Sequence, residues 1–82
     1  YVPSNPDEPE AVQEVIEQID VTKRLIAKNP DALRFAVNAD QVERAMADGK
    51  IASLLGMEGG HSIGSSLAVL RQLHALGARY MT

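Results

Sequence analysis

Helix-type and strand-type patterns alternate along this chain, and that alternation limits the possible folds more than any other feature of the sequence. Val12, Val15, Ile16, Ile19 and Ile26 follow the i, i+3, i+4, i+7 rule, which puts one apolar stripe on a helix running to about Lys28. Ahead of it, Ser4-Asn5-Pro6-Asp7-Glu8-Pro9 is a turn-and-cap signal. Asn5 can cap, proline suits the first helical turn, and Asp7, Glu8 and Glu10 favour the positive end of the helix dipole. Tyr1-Val2-Pro3 reads either as the tail of a strand or as an extended terminus. Asn29-Pro30 ends the helix, because proline disfavours the α conformation in the residue before it.

Leu33, Phe35 and Val37 alternate with Arg34 and Ala36, the pattern of a short half-buried strand. Asn38 with Gln41 three positions on is close to a capping box. Val42, Ala45 and Met46 then give a short helix, closed by Gly49 at a C′-like position. Residues 51–57 are almost continuously apolar, which suits a strand covered on both faces as in a parallel sheet, although periodicity alone does not exclude a buried helix. Gly59 and Gly60 break that run immediately after Glu58. Ser65 or Ser66 caps a further helix with Leu67, Leu70, Leu73 and Leu76 as its apolar positions, and Gly77 closes it. Arg79-Tyr80-Met81-Thr82 begins another strand.

Helix, strand, helix, strand, helix, strand with short connections predicts βαβ units, an α/β fold and a mainly parallel sheet. Eighty-two residues allow one small domain. At 45% hydrophobic and 23% charged, the chain has too much apolar character for intrinsic disorder. No apolar run approaches the roughly 20 residues of a membrane-spanning helix. A net charge of −3 is a poor electrostatic footprint for nucleic acid. With no cysteine, disulfides, thiolate zinc sites and cysteine nucleophiles are excluded, and a reducing, cytoplasmic location is favoured. A chain that opens on Tyr1 and closes inside a strand is expected to be an internal piece of something longer.

The stretch Gly56-Met57-Glu58-Gly59-Gly60-His61-Ser62 is the most informative. It places a carboxylate at the carboxyl end of a strand, where ligands bind in open α/β sheets and in (β/α) barrels. Glycines there let the backbone turn sharply and approach a ligand closely. The plain alternative is a turn with Glu58 in water. Gly59 to Gly64 also has the G-x-x-x-x-G spacing of a phosphate loop, but Ser65 stands where the lysine is needed and Glu58 would repel a polyphosphate. His61 could steady Glu58 by hydrogen bonding or serve only in the loop, and His74 lies among leucines on a helix surface. No nucleophile elbow or H-E-x-x-H motif is present. The carboxylates Asp7, Glu8, Glu10, Glu14 and Glu17 read as a solvated helix face balanced by Lys23, Arg24 and Lys28, and Met46, Met57 and Met81 as core filling.

From Lys50 onward the sequence resembles the renal (membrane) dipeptidase family of zinc dipeptidases. Lys50 through Ile63, with its Gly-Met-Glu-Gly-Gly-His core, is similar to that family's signature around a metal-binding glutamate. Ser65-Ser66-Leu67 and Leu76-Gly77-Ala78-Arg79-Tyr80-Met81-Thr82 continue the likeness, and Tyr1-Val2-Pro3 and Glu17-Gln18-Ile19-Asp20 extend it less specifically upstream. Gly64 stands where many members carry an acidic or amide residue.

The resemblance implies a (β/α)8 TIM barrel, of which residues 1–82 would be a single segment incomplete at both ends. It also implies a binuclear zinc centre that hydrolyses dipeptides, with Glu58 as the metal-bridging carboxylate and Gly59, Gly60 and His61 as its supporting loop. A carboxylate suits that task because each oxygen can bind one cation at about 2.0–2.2 Å, holding two metals about 3.5–4 Å apart. The family's His-x-Asp pair would precede Tyr1, and its histidine ligands, substrate-contacting histidine and catalytic aspartate would follow Thr82, so no catalytic residue is expected within this segment. A dipeptide is then the expected partner, with a homo-oligomer of the complete enzyme left open. The competing reading is a small non-catalytic α/β interaction module whose Glu58 loop is only a turn.

Overall fold

A computed structural model describes residues 8–82; the cap expected around Asn5 and the 1–3 stretch lie outside the described residues. Helix α1 spans Glu8–Lys28 and stops where Asn29-Pro30 requires. Its buried line is Ala11, Val15, Ile19 and Ile26, while Ile16 is 42% exposed. The apolar stripe is therefore rotated from the expected one, with Ala11 on it and Ile16 off it. Ala11, Val15 and Ile19 share the core with Met57, Leu73 and Ala78, and Ala11 is fully buried there. On another side of α1, Lys23 sits 5.5 Å from the Phe35 ring centroid, a cation–π contact that its charge alone did not suggest.

Strand β1 is Leu33–Phe35, followed by helix α2 over Ala39–Ala47. The box around Asn38 forms in modified form. Asn38 Oδ1 accepts from the Gln41 backbone N–H at 2.9 Å, and Gln41 Oε1 accepts from Val37 N–H, one residue earlier than the standard box would use. Ala36 is fully buried, so the expected outward side of the alternation fails there. The strand ends at Phe35, and Ala36 N–H turns in to donate to the Ser53 carbonyl. Gly49, at φ +72°, follows α2 as expected.

The apolar run 51–57 is two strands, β2 (Ile51–Ser53) and β3 (Leu55–Met57), rather than one. Each half has its own partner: β2 pairs parallel with β1, and β3 pairs parallel with β4 (Ala78–Met81). A break at Leu54 lets one stretch of chain serve both neighbours. Between them run the 3₁₀ turn Gly60–Ile63 and helix α3, Leu67–Leu76. Ser66, not Ser65, caps α3, its Oγ accepting from Val69 N–H at 3.2 Å. The structure is thus mixed helix and strand with parallel pairing throughout.

Three expectations about burial need correction. Leu67, Leu70, Leu73 and Leu76 do not form one buried row: Leu73 is fully buried, while Leu67 and Leu76 are exposed. Steps of three residues slip by about 60° around a helix with 3.6 residues per turn, so such a row walks off the core. The strands are not covered on both faces among the described residues, since Ile51 and Tyr80 remain exposed. Helices α1 and α3 meet the β3–β4 face that carries Met57 and Ala78. Of the methionines, only Met57 is buried; Met46 and Met81 are exposed.

The contrast within α3 gives a direct expectation. Leu73→Ala in the full-length protein should cost about 2–5 kcal/mol, whereas Leu67→Ala should stay within about 0.5 kcal/mol. Urea unfolding followed by circular dichroism would read both; equal losses would place the core elsewhere on α3.

Candidate functional site

Glu58 lies one residue beyond β3, and backbone hydrogen bonds on either side fix its position. Thr82 N–H donates to the Met57 carbonyl at 2.9 Å, and Gly59 N–H donates to the Thr82 carbonyl at 2.9 Å. That pattern sets Thr82 opposite Glu58 and carries the parallel ladder one residue past the strand ends. Side chains alternate along a strand. Met57 points into the core and is buried, so Glu58 falls on the opposite face, with Gly56, and is exposed. No described residue forms a hydrogen bond or ion pair with its carboxylate. The site is a charged acceptor on a fixed backbone at the carboxyl end of a parallel strand.

The two glycines that follow have different jobs. Gly59 adopts φ +107°, a region L side chains rarely reach, and a Cβ there would overlap the His61 imidazole, whose Nδ1 would be 2.7 Å away. Gly60 has open space where a Cβ would go. His61 therefore packs its ring against the Gly59 backbone at the start of the 3₁₀ turn. The turn itself is closed by Ser62 N–H donating to the Gly59 carbonyl and Gly64 N–H donating to the His61 carbonyl. Residues 60–63 are thus used up in a short helix rather than opened as a phosphate cradle, in line with the weak sequence case for one. His74 lies elsewhere, exposed on α3, where its carbonyl accepts from Arg79 and Gly77.

Sequence reading passed over three neighbours of this loop. Ser62 is 1% exposed, and its Oγ has no hydrogen-bond partner among the described residues. The Tyr80 ring occupies the space a side chain on Gly56 would fill. Arg79 is the extra residue of a bulge in the β3–β4 pair, where Leu55 faces Ala78 but Gly56 faces Tyr80. Its guanidinium donates to the carbonyls of Val37 (2.9 Å), His74 (2.6 Å) and Ala78 (2.8 Å). Only the Gly56/Tyr80 contact had a usable signal, a lone glycine inside an apolar strand run. Among the described residues no three His, Cys, Asp or Glu side chains gather into a group able to hold a metal ion, and no helix is long and apolar enough to cross a membrane.

Parallel βα connectivity is shared by α/β proteins that bind ligands at the carboxyl ends of their strands, and Glu58 stands at such an end. Within that class the assignment is narrower: residues 1–82 match the family model described as membrane dipeptidase (peptidase family M19), and the chain belongs to that family.

The loop geometry separates the glycines experimentally. Gly59→Ala should destabilise the full-length protein by more than about 1 kcal/mol, because it combines a disfavoured φ with a clash. Gly60→Ala should change stability by no more than about 0.5 kcal/mol. Thermal unfolding of the two variants checks this, and a Gly60 variant as damaged as the Gly59 one would contradict the described loop.

Proposed function

We propose that this chain contributes the metal-bridging carboxylate, Glu58, to the binuclear zinc centre of a dipeptide-hydrolysing enzyme built on a (β/α)8 barrel, of which residues 1–82 are one segment. Membership of a dipeptidase family supports the reaction class. The observation that carries the residue assignment is the placement of Glu58: exposed, without a partner among the described residues, and bonded in place at Met57 and Gly59. The carboxylate is used in no cap, salt bridge or buried hydrogen bond among the described residues, so the competing role is a solvated turn residue, which the metal analysis below separates. The donor chemistry fits zinc, which accepts carboxylate oxygen.

When bound, paired cations supply a water acidic enough to serve as nucleophile near neutral pH and polarise the substrate carbonyl. The chain's own part is positional. Glu58 offers two oxygens from a backbone that cannot shift without breaking the ladder to Thr82. Gly59 turns the chain away directly behind it, leaving the carboxylate face clear, and His61 packs on that turn. A single carboxylate does not make the centre. Affinity follows ligand count and geometry, so the remaining ligands belong to other parts of the barrel. The family match supports this reading over a non-catalytic interaction module.

Glu58→Gln in the full-length enzyme keeps the size but loses the charge and one good metal-binding oxygen. Its dipeptidase turnover should fall by orders of magnitude, and bound zinc should drop below the wild-type amount. His74→Gln, on the α3 surface, should change both by less than about threefold. Metal analysis with dipeptide kinetics on the pair decides the assignment; a Glu58→Gln enzyme with full zinc and full turnover returns Glu58 to being a loop carboxylate. Residues 1–82 alone, supplied with zinc and a dipeptide, should show no turnover that survives dialysis.

A further inference from the structure

Arg79 has no counterpart on β3, because the pairing passes from Leu55–Ala78 directly to Gly56–Tyr80. Its guanidinium is nonetheless well used. Nε donates to the Val37 carbonyl at 2.9 Å, and Nη1 donates to the carbonyls of His74 at 2.6 Å and Ala78 at 2.8 Å. These acceptors lie in the β1–α2 connection, the last turn of α3 and β4 itself. All three are backbone atoms, so the guanidinium fixes the course of the chain and not another side chain. Hydrogen bonds from a charged donor are about twice as strong as neutral ones, and a cation suits the carboxyl end of a helix.

The bulge decides which residue faces the carboxylate. Without it, Gly56 would pair with Arg79, Met57 with Tyr80 and Glu58 with Met81. With it, Met57 pairs with Met81 and Thr82 stands opposite Glu58, donating to the Met57 carbonyl and accepting from Gly59 N–H. Backbone groups alone do not choose between these registers, since Met81 has the same N–H and carbonyl to offer. The side chains choose. Slipping back would turn Tyr80 to the core face beside Met57 and pull Arg79 away from its three carbonyls.

We propose that Arg79 is a positioning residue: by pinning the bulge to α3 and to the β1–α2 connection, it holds β4 in the register that brackets Glu58. This rests on the Glu58 reading above and extends it to the group that keeps the ligand's strand end in place. Bulges are frequent beside active sites, where they re-aim side chains or end pairing. When the strand end slips, both bonds around Glu58 break together, and the carboxylate loses its fixed backbone.

Arg79→Met in the full-length protein removes all three bonds while keeping an apolar stem. It should lower kcat for dipeptide hydrolysis about tenfold or more with KM within about threefold, because small displacements of catalytic groups are costly. Ile26→Ala is the control for stability alone, a cavity-forming change on α1 outside the packing around Met57. It should lower the unfolding temperature yet keep kcat within about threefold of wild type. In the metal-free proteins, exchange of the Gly59 and Thr82 amides is compared with that of Val15 and Ile19. That ratio should rise about tenfold or more in Arg79→Met and stay at the wild-type value in Ile26→Ala. Should Arg79→Met fail to fold, Arg79→Lys replaces it with the same expectation, since a lysine ammonium lacks the rigid fork that spans these carbonyls. The proposal requires both effects. An Arg79 variant with wild-type kcat, or with a wild-type exchange ratio, overturns it, as does an Ile26→Ala protein showing the same changes. Glu58→Gln is measured alongside. If it keeps full zinc and full turnover, the metal reading fails, and the exchange ratio alone decides whether Arg79 sets the strand end.

Discussion

Two backbone hydrogen bonds to Thr82 hold together what matters most in this structure. One comes to the Met57 carbonyl and the other from the Gly59 amide, so the residue between them is clamped by its neighbours rather than by its own side chain. The parallel ladder anchors the backbone of Glu58 and leaves both carboxylate oxygens uncommitted among the described residues. Burial of Met57 on the opposite face fixes the sense of the alternation, since a slip of one residue would exchange the buried methionine with the carboxylate. The core of Ala11, Val15, Ile19, Leu73 and Ala78 around that methionine therefore also sets where the charge points.

The ladder depends in turn on a bulge. Without an extra residue, Ala78 and Tyr80 would share a face, and the tyrosine would have to enter the space against α1 and α3 that small Ala78 now fills. Inserting Arg79 shifts the pairing by one, so that Tyr80 crosses to the face of Gly56 and lies over that glycine's backbone. Arg79 itself is released from the alternation. Its side chain reaches the last turn of α3 at the His74 carbonyl and the β1–α2 connection at Val37. One residue thus joins three parts of the chain, and hydrogen bonds from a charged donor are stronger than neutral ones.

Much of the outline was legible because it depends on local chemistry. Asn29-Pro30, Asn38 with Gln41, Gly49, the Ser65-Ser66 pair and Gly77 mark element ends through caps and turns that involve only neighbours in sequence, and the structure decides only that Ser66 is the cap of the pair. The place of Glu58 at a strand end was legible for the same reason, between an apolar run and a glycine pair, while its proposed role as a metal ligand came only from the family resemblance. What escaped was set by partners far along the chain. The split of 51–57 at Leu54 reflects two different neighbouring strands, and nothing within those seven residues encodes it. Rotation of the α1 stripe toward Ala11 is set by what the helix packs against, namely β1, the 3₁₀ turn and α3, none of which is encoded within the helix. Ser62 looked like an ordinary loop serine because its burial comes from α1, forty residues upstream.

The two glycines after Glu58 show how far composition falls short of geometry. In sequence they are a pair, and pairing suggests a flexible turn. In the structure one is forced and the other is free: Gly59 takes a φ closed to other residues and gives up its side-chain space to the His61 ring, while Gly60 meets nothing. The turn is therefore stiff where it touches Glu58 and permissive one residue later. For the proposed role of Glu58 that order is favourable: freedom directly behind the carboxylate would be lost as entropy on binding a cation, whereas freedom one residue further on would cost little. The positive φ of Gly59, the ladder to Thr82 and the packing of Met57 all bear on the same residue, so several independent interactions set where Glu58 stands.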